Sequence, residues 1–137
     1  VNGIFVDTGA WYALVDSDDA DHKAAAAFLT ANTMPFITTN FIFSETVTLI
    51  RYRIGHEAAC SFGQKLMESS FVRVVAVTPT DEERAWDIFS KYRDQDFSFV
   101  DCTSFAVMER MKLSTAFGFD RHFSFMKYAV VPGKETK

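Results

Sequence analysis

The chain is short of cysteine and of net positive charge, and each shortage removes a class of protein. Its two cysteines, Cys60 and Cys102, stand singly and far apart, with no C-x-x-C pair and no cysteine–histidine spacing. That pattern supports neither a disulfide framework nor a structural zinc site, and it suits a reducing compartment. The formal net charge is -4, so no global basic field draws the chain to nucleic acid. Any such contact must run through local basic residues or bound cations. No apolar run approaches the roughly 18 residues needed to cross a bilayer. The first apolar run has no basic stretch before it and is cut early by Asp7, so no leader is expected and the expected location is the cytoplasm. A G-x-G-x-x-G or Walker loop is also absent, which argues against nucleotide binding through a glycine-rich loop.

What is present is apolar bulk. Of 137 residues 48% are apolar and fifteen are phenylalanine, enough for one domain with a filled core and some surface left for a partner. Ile4-Phe5-Val6 reads as a short strand buried on both faces, ending on Asp7, with Thr8-Gly9 suited to a tight turn. Trp11 to Val15 follows as a helical segment, then the acidic loop Asp16 to Asp21. A calcium loop is disfavoured there, because Asp21 and Ala27 occupy the positions that require glycine and glutamate. A helix is expected over 22–31, a strand over 34–38, and a helix from Phe41 to Tyr52 capped by Thr39-Asn40. Gly55 separates it from a helix over 56–68, with Cys60 and Leu66 inward. Phe71 to Val77 is the clearest strand. Thr80-Asp81-Glu82-Glu83 has capping-box form and opens a helix to about Tyr92, with Ala85, Ile88 and Phe89 inward. Ser98 and Asp101 repeat the capping-box spacing before a helix to Met111. Residues 115–120 read as a strand ending on Asp120, and 128–131 as the last strand.

Strands alternating with helices predict a single α/β domain, a three-layer sandwich around a central, mainly parallel sheet. Residues 1–132 form that domain and 133–137 a frayed tail. In such sheets ligands sit beyond the carboxyl ends of the strands. Asp7 and Asp120 lie at strand ends, and Glu45 and Asp101 near starts of helices facing the same rim. Glu45 shares a helical face with Phe41 and Leu49, so it needs a cation, a metal or a raised pKa; an ion pair with a nearby arginine is the simplest answer. Asp101 shares a face with Phe105 and Met108, and a helix cap and a metal ligand suit it equally. Four carboxylates crowded together require hard cations, and oxygen-only ligation suits Mg²⁺ or Mn²⁺. Such a cluster is equipment for phosphodiester hydrolysis by a metal-activated water.

The motifs Phe5-Val6-Asp7-Thr8, the Glu45 helix, Asp96-Phe97-Ser98-Phe99-Val100-Asp101-Cys102-Thr103-Ser104-Phe105 and Phe119-Asp120-Arg121-His122-Phe123 together resemble the PIN-domain ribonucleases, and within them the VapC-type toxins of toxin–antitoxin pairs. The resemblance runs from Val1 to about Pro132. It implies a Mg²⁺- or Mn²⁺-dependent endoribonuclease whose metal is held by Asp7, Glu45, Asp101 and Asp120, which are also the catalytic residues. It further implies an RNA substrate, a homodimer and a small antitoxin partner. Many relatives carry a hydroxyl residue two places before the fourth acid, where this chain has Gly118. Asp96 either assists the site or faces solvent. Arg51, Arg53, Arg93, Arg121 and Lys127 are candidate backbone contacts, His122 is placed to touch substrate, and His22 and His56 read as surface residues. With no base-paired serine or cysteine nucleophile, covalent catalysis is disfavoured.

Rival readings fail on single residues. A haloacid-dehalogenase-like phosphatase needs a second aspartate where Gly9 stands, and a receiver domain needs an acceptor aspartate where Thr78-Pro79 follows the third strand. The remaining alternative is a catalytically silent PIN-like module that binds RNA or protein, which loss of the acids would favour. None is lost.

Overall fold

Ile4, Phe5 and Val6 form β1 (Ile4–Val6), and all three are buried, as a strand covered on both faces requires. In the computed structural model, which describes residues 2–133, it is the middle strand of five. The others are β2 (Phe36–Thr39), β3 (Val72–Val75), β4 (Thr115–Phe117) and β5 (Ala129–Val131). The order is β3-β2-β1-β4-β5 and every pairing is parallel. Phe5 aligns with Ile37 on one side and Ala116 on the other. The chain winds outward from β1 to β3, then returns across the sheet to β4. That reversal puts the topological switch point between β1 and β4, where open α/β sheets bind ligands.

The helices are α1 (Thr8–Val15), α2 (His22–Ala31), α3 (Asn40–Arg53), α4 (His56–Glu68), α5 (Pro79–Lys91), α6 (Phe99–Met111) and α7 (His122–Phe125). Right-handed crossovers place α1 to α4 on one face and α5 to α7 on the other. Side-chain packing agrees: Trp11 of α1 meets Phe36 of β2 and Phe62 of α4 edge-on, and Phe105 of α6 meets Phe123 of α7 at 5.2 Å. Much of the phenylalanine is core: Phe5, Phe36, Phe105, Phe117 and Phe123 have almost no exposed surface. The three-layer expectation therefore holds.

Several local expectations do not. Thr8 and Gly9 are the first residues of α1 and not a turn, so Asp7 is the residue from which that helix starts. Asp120 is not at a strand end: β4 stops at Phe117 and the acid follows in the loop. The capping box of α5 is Thr78 with Asp81, two residues before Thr80, because Pro79 fits the first helical position. Cys60 and Phe89 are exposed rather than inward, while His22 is half-buried, its ring bonded to the Ala13 carbonyl at 2.7 Å. Of the predicted 133–137 tail, only Gly133 lies within the described residues. No helix of the described residues is long and apolar enough to cross a membrane.

Candidate active site

Asp7 is delivered by the central strand and opens α1, yet its side chain makes no capping bond. It is 5% exposed. Burial, the largest influence, pushes its carboxyl well above the ordinary carboxylate range. The negative charges of Asp120, Asp101 and Glu45 add to this, against a hydrogen bond from the Thr8 backbone. A buried acid that feels three other acids takes up a proton or is balanced by a cation.

Asp101 sits in the first turn of α6 through a complete capping box. Its Oδ2 accepts the Ser98 backbone N–H at 2.9 Å, and its own N–H is accepted by Ser98 Oγ at 3.0 Å. The cap is thus made, and it also holds the half-buried carboxylate toward Asp120. Burial raises the Asp101 pKa, opposed by the Ser98 bond and the charge of His122. Asp120 accepts the His122 backbone N–H at 2.9 Å, which fixes the loop after β4.

Glu45 is placed differently from expectation. The stripe of α3 that enters the core is Ile42, Thr46 and Ile50, not Phe41 and Leu49, so Glu45 is exposed at the cleft rim. No arginine pairs with it among the described residues. Instead Thr8 Oγ1 donates to Glu45 Oε1 at 2.5 Å. Thr8 is a residue that sequence reasoning assigned to a turn; its only signal was a hydroxyl directly after the strand-ending acid.

His122 is the second residue given too small a part. Its Nδ1 lies 3.1 Å from Asp101 Oδ2 and 3.7 Å from Asp120 Oδ1, and its Nε2 lies 2.9 Å from Asp96 Oδ1. Asp96, exposed as a loop acid should be, is thereby joined to the cluster. Burial, the largest influence on the ring, opposes its protonation. The Asp96 hydrogen bond and the charges of Asp120, Asp101 and Asp96 outweigh it and raise the His122 pKa. Donor atoms of Asp101, Asp120 and His122 all lie within 4.8 Å of one another. Asp7 and Glu45 are not in that group, although Asp7 feels the charges of Asp120, Asp101 and Glu45. Gly118 lies against Asp7: a Cβ there would be 3.6 Å from Asp7 Cβ and 3.9 Å from its Oδ2.

Of the basic candidates only Arg121 adjoins a cluster acid, Asp120, in sequence. The Arg53 guanidinium stacks 5.2 Å over the Tyr12 ring, while Arg51, Arg93, Arg121 and Lys127 make no ion pair among the described residues. A parallel sheet that gathers carboxylates at its switch point is the architecture of a cation-dependent hydrolase of phosphate esters.

Comparison with known proteins agrees. The PIN domain matches residues 4–127. The 23S rRNA-specific endonuclease VapC20 of Mycobacterium tuberculosis is 40% identical over 121 residues, 88% of this chain and 92% of that protein. A VapC ribonuclease of Archaeoglobus fulgidus is 26% identical over 124 residues, 87% of this chain and 78% of that one. The crystal structure of M. tuberculosis VapC20, described as a sarcin–ricin loop cleaving toxin, superimposes with a TM-score of 0.88 at 37% identity. It covers 93% of this chain and 97% of its own. FitAcB from Neisseria gonorrhoeae shares the fold at a TM-score of 0.70 and 14% identity, covering 93% of this chain and 95% of its own. The chain therefore belongs to the PIN-domain family, as a VapC-type endoribonuclease toxin.

Proposed function

We propose that this chain hydrolyses ribosomal RNA with a Mg²⁺ or Mn²⁺ ion held by Asp7, Glu45, Asp101 and Asp120, and that its target is the sarcin–ricin loop of 23S rRNA. The observation that carries the metal reading is the buried Asp7 carboxyl, raised in pKa by its own burial and by the other acids around it. The donor atoms of Asp101, Asp120 and His122, all within 4.8 Å of one another, support it as well. The 40% identity to a 23S rRNA-specific endonuclease carries the substrate reading.

When bound, the cation neutralises the acids, lowers the pKa of a water and stabilises charge on the leaving oxygen. The chain supplies the frame. The β1 backbone and the start of α1 hold Asp7 rigid at the floor of the cleft. The capping box orients Asp101, the Thr8 hydroxyl orients Glu45, and the His122 N–H orients Asp120. Arg121, next to Asp120, contacts the phosphates flanking the scissile bond. Attack by water in line with the leaving 3′ oxygen leaves a 5′-phosphate and a 3′-hydroxyl.

The test is cleavage of 23S rRNA, and of a sarcin–ricin loop oligonucleotide, by purified protein with Mn²⁺, Mg²⁺ or EDTA, alongside Asp7→Asn. Metal-dependent cutting that the variant lacks supports the reading. Products ending in a 3′-phosphate or cyclic phosphate defeat the mechanism, and cutting elsewhere in rRNA defeats the target.

Two partners complete the proposal. A homodimer would cover the exposed apolar residues Tyr52, Trp86, Phe89 and Phe125. Light scattering that shows only monomer across micromolar concentrations removes it. A small antitoxin would hold the toxin inactive in the cytoplasm, and its absence from the neighbouring reading frames counts against that part.

A further inference from the structure

We propose that the cleft beside Asp120, walled by α2, the loop after β4 and the end of β5, is a nucleotide subsite. It takes the ribonucleotide next to the scissile phosphate, with the base against Phe119. The inference rests on the reading that RNA is cut at the acid cluster.

The cleft follows from the topology. β4 and β5 pair in parallel, Phe117 aligned with Val131, so both chains leave the sheet at its carboxyl edge. The Gly118 N–H is donated to the Val131 carbonyl at 3.1 Å, which holds the two exits together. Between them and Ala24 of α2 lies an open space of ≈ 530 Å³ with Asp120 in its wall. Ligand pockets span about 300–1,000 Å³, and one nucleotide is a ligand of that class. Gly118 lines the same space and abuts Asp7, so the cleft opens onto the floor of the site. A nucleotide seated there is continuous with a phosphate over the acids.

The walls carry the groups that a nucleotide needs. Phe119, Val130 and Pro132 are half-buried and apolar. The Phe119 ring is braced by Phe117, their centroids 6.1 Å apart, and so offers a fixed surface to an unpaired base. Arg121 is exposed and makes no ion pair among the described residues, which leaves its guanidinium for a phosphate oxygen. Ser124 Oγ donates to the Arg121 carbonyl at 3.0 Å. Its one proton is spent, so it offers the cleft acceptor lone pairs, suited to a ribose 2′-hydroxyl or a base amino group.

The cleft that contains Glu45 has a different chemistry. Phe41, Leu49 and Tyr52 stand in its walls, with no lysine or arginine among the described residues. An anionic chain is drawn toward Arg121 instead. Because a base enters the Asp120 cleft only when unstacked, the subsite selects loops over paired stems.

The experiment uses sarcin–ricin loop oligonucleotides, each with one abasic nucleotide at a different place in the loop. For wild type, the abasic position next to the cut should lower kcat/KM by ~10-fold or more, through KM, as loss of one stacked base does. Ala24→Trp, which puts a ring into the cleft from an exposed helix position, should cost the intact oligonucleotide a similar factor. The two changes together should cost little more than either alone. Losses that simply multiply at every position, or Ala24→Trp that cuts the intact loop like wild type, overturn the inference. A second measurement needs neither cutting nor that variant. In Asp7→Asn protein with Mg²⁺, the intact oligonucleotide should shift the amide resonances of Gly118, Phe119 and Ser124, and the abasic one should not. Bound RNA that leaves those resonances unmoved overturns the subsite even if Ala24→Trp does not fold. A wild type that cuts no RNA overturns the hydrolysis reading, while the spectra still decide the subsite.

Discussion

Thr8 Oγ1 donates to Glu45 Oε1 at 2.5 Å, across 37 residues of sequence. The bond joins the first residue of α1 to the second turn of α3, and so holds an exposed acid against the end of the central strand. Without it Glu45 would be a rim glutamate with free rotamers. Replacing Thr8 by valine keeps the buried shape and removes the hydroxyl. The stability cost should be about 1 kcal/mol, at the ordinary level for one hydrogen bond. Metal affinity and cleavage should fall by more than that cost explains, and Thr8→Ser should restore both. Calorimetric Mn²⁺ titration of the two variants checks this.

Asp7 makes the metal-free protein less stable at neutral pH. Its folded pKa is raised, so the folded state binds more protons than the unfolded state between the ordinary carboxylate value and the raised one. The stabilising protonated form is present below that window and lost as pH rises through the folded pKa. Asp7→Asn should therefore be more stable than wild type without metal at pH 7. The gap should close as the pH falls toward the ordinary aspartate range. Added Mn²⁺ should raise the melting temperature of wild type and leave the variant nearly unchanged. Thermal melts across pH, in EDTA and in Mn²⁺, test each statement.

Gly118 is open to a side chain. A Cβ would meet Asp7 only at 3.6 Å and 3.9 Å, ordinary contact distances, so Gly118→Ser should fold normally. Its hydroxyl would donate to Asp7 and favour the ionised form. The neutral-pH penalty on the metal-free protein should shrink and cleavage should be kept or raised a few-fold. A variant that is folded but inactive would contradict this.

Asp81 offers a control away from the site. It is 3% exposed, pairs with Arg110 through two bonds of 2.9 Å, and closes the α5 capping box on Thr78. The Arg110 hydrogen bonds hold its pKa down. Its stabilisation is thus present above the unfolded value and lost as pH falls through the lowered one. Asp81→Ala should cost about 2 kcal/mol in denaturant unfolding, about 1 for the lost helix cap and up to about 1 for an ion pair whose arginine is 41% exposed. Specific activity of the folded fraction should not change.

The residues that make the fold legible are those whose neighbours in space are also neighbours in sequence. Ile4-Phe5-Val6 declares a doubly buried strand by composition, and the alternation of such runs with helical periods dictates a parallel sheet. The Ser98–Asp101 box is local and was readable; the α5 box was misplaced by two residues because Thr80 and Thr78 both offer a hydroxyl, and Pro79 decides between them. The acids were legible through family motifs, as were their places near one rim.

What the sequence alone did not contain was the partner of each acid. The face of α3 that enters the core was decided by packing against α1 and α4, which turned Ile42, Thr46 and Ile50 inward and Glu45 out. Thr8 meets Glu45 because β2 pairs beside β1 and α1 packs on α3, and Asp120 and His122 reach the same rim as Asp7 because β4 returns on the other side of β1. Periodicity and spacing determine which residues are acidic, where elements begin and which class of sheet they build. Long-range geometry determines which side chain sees which charge, because electrostatic interactions depend on distance and burial, and both belong to the folded chain.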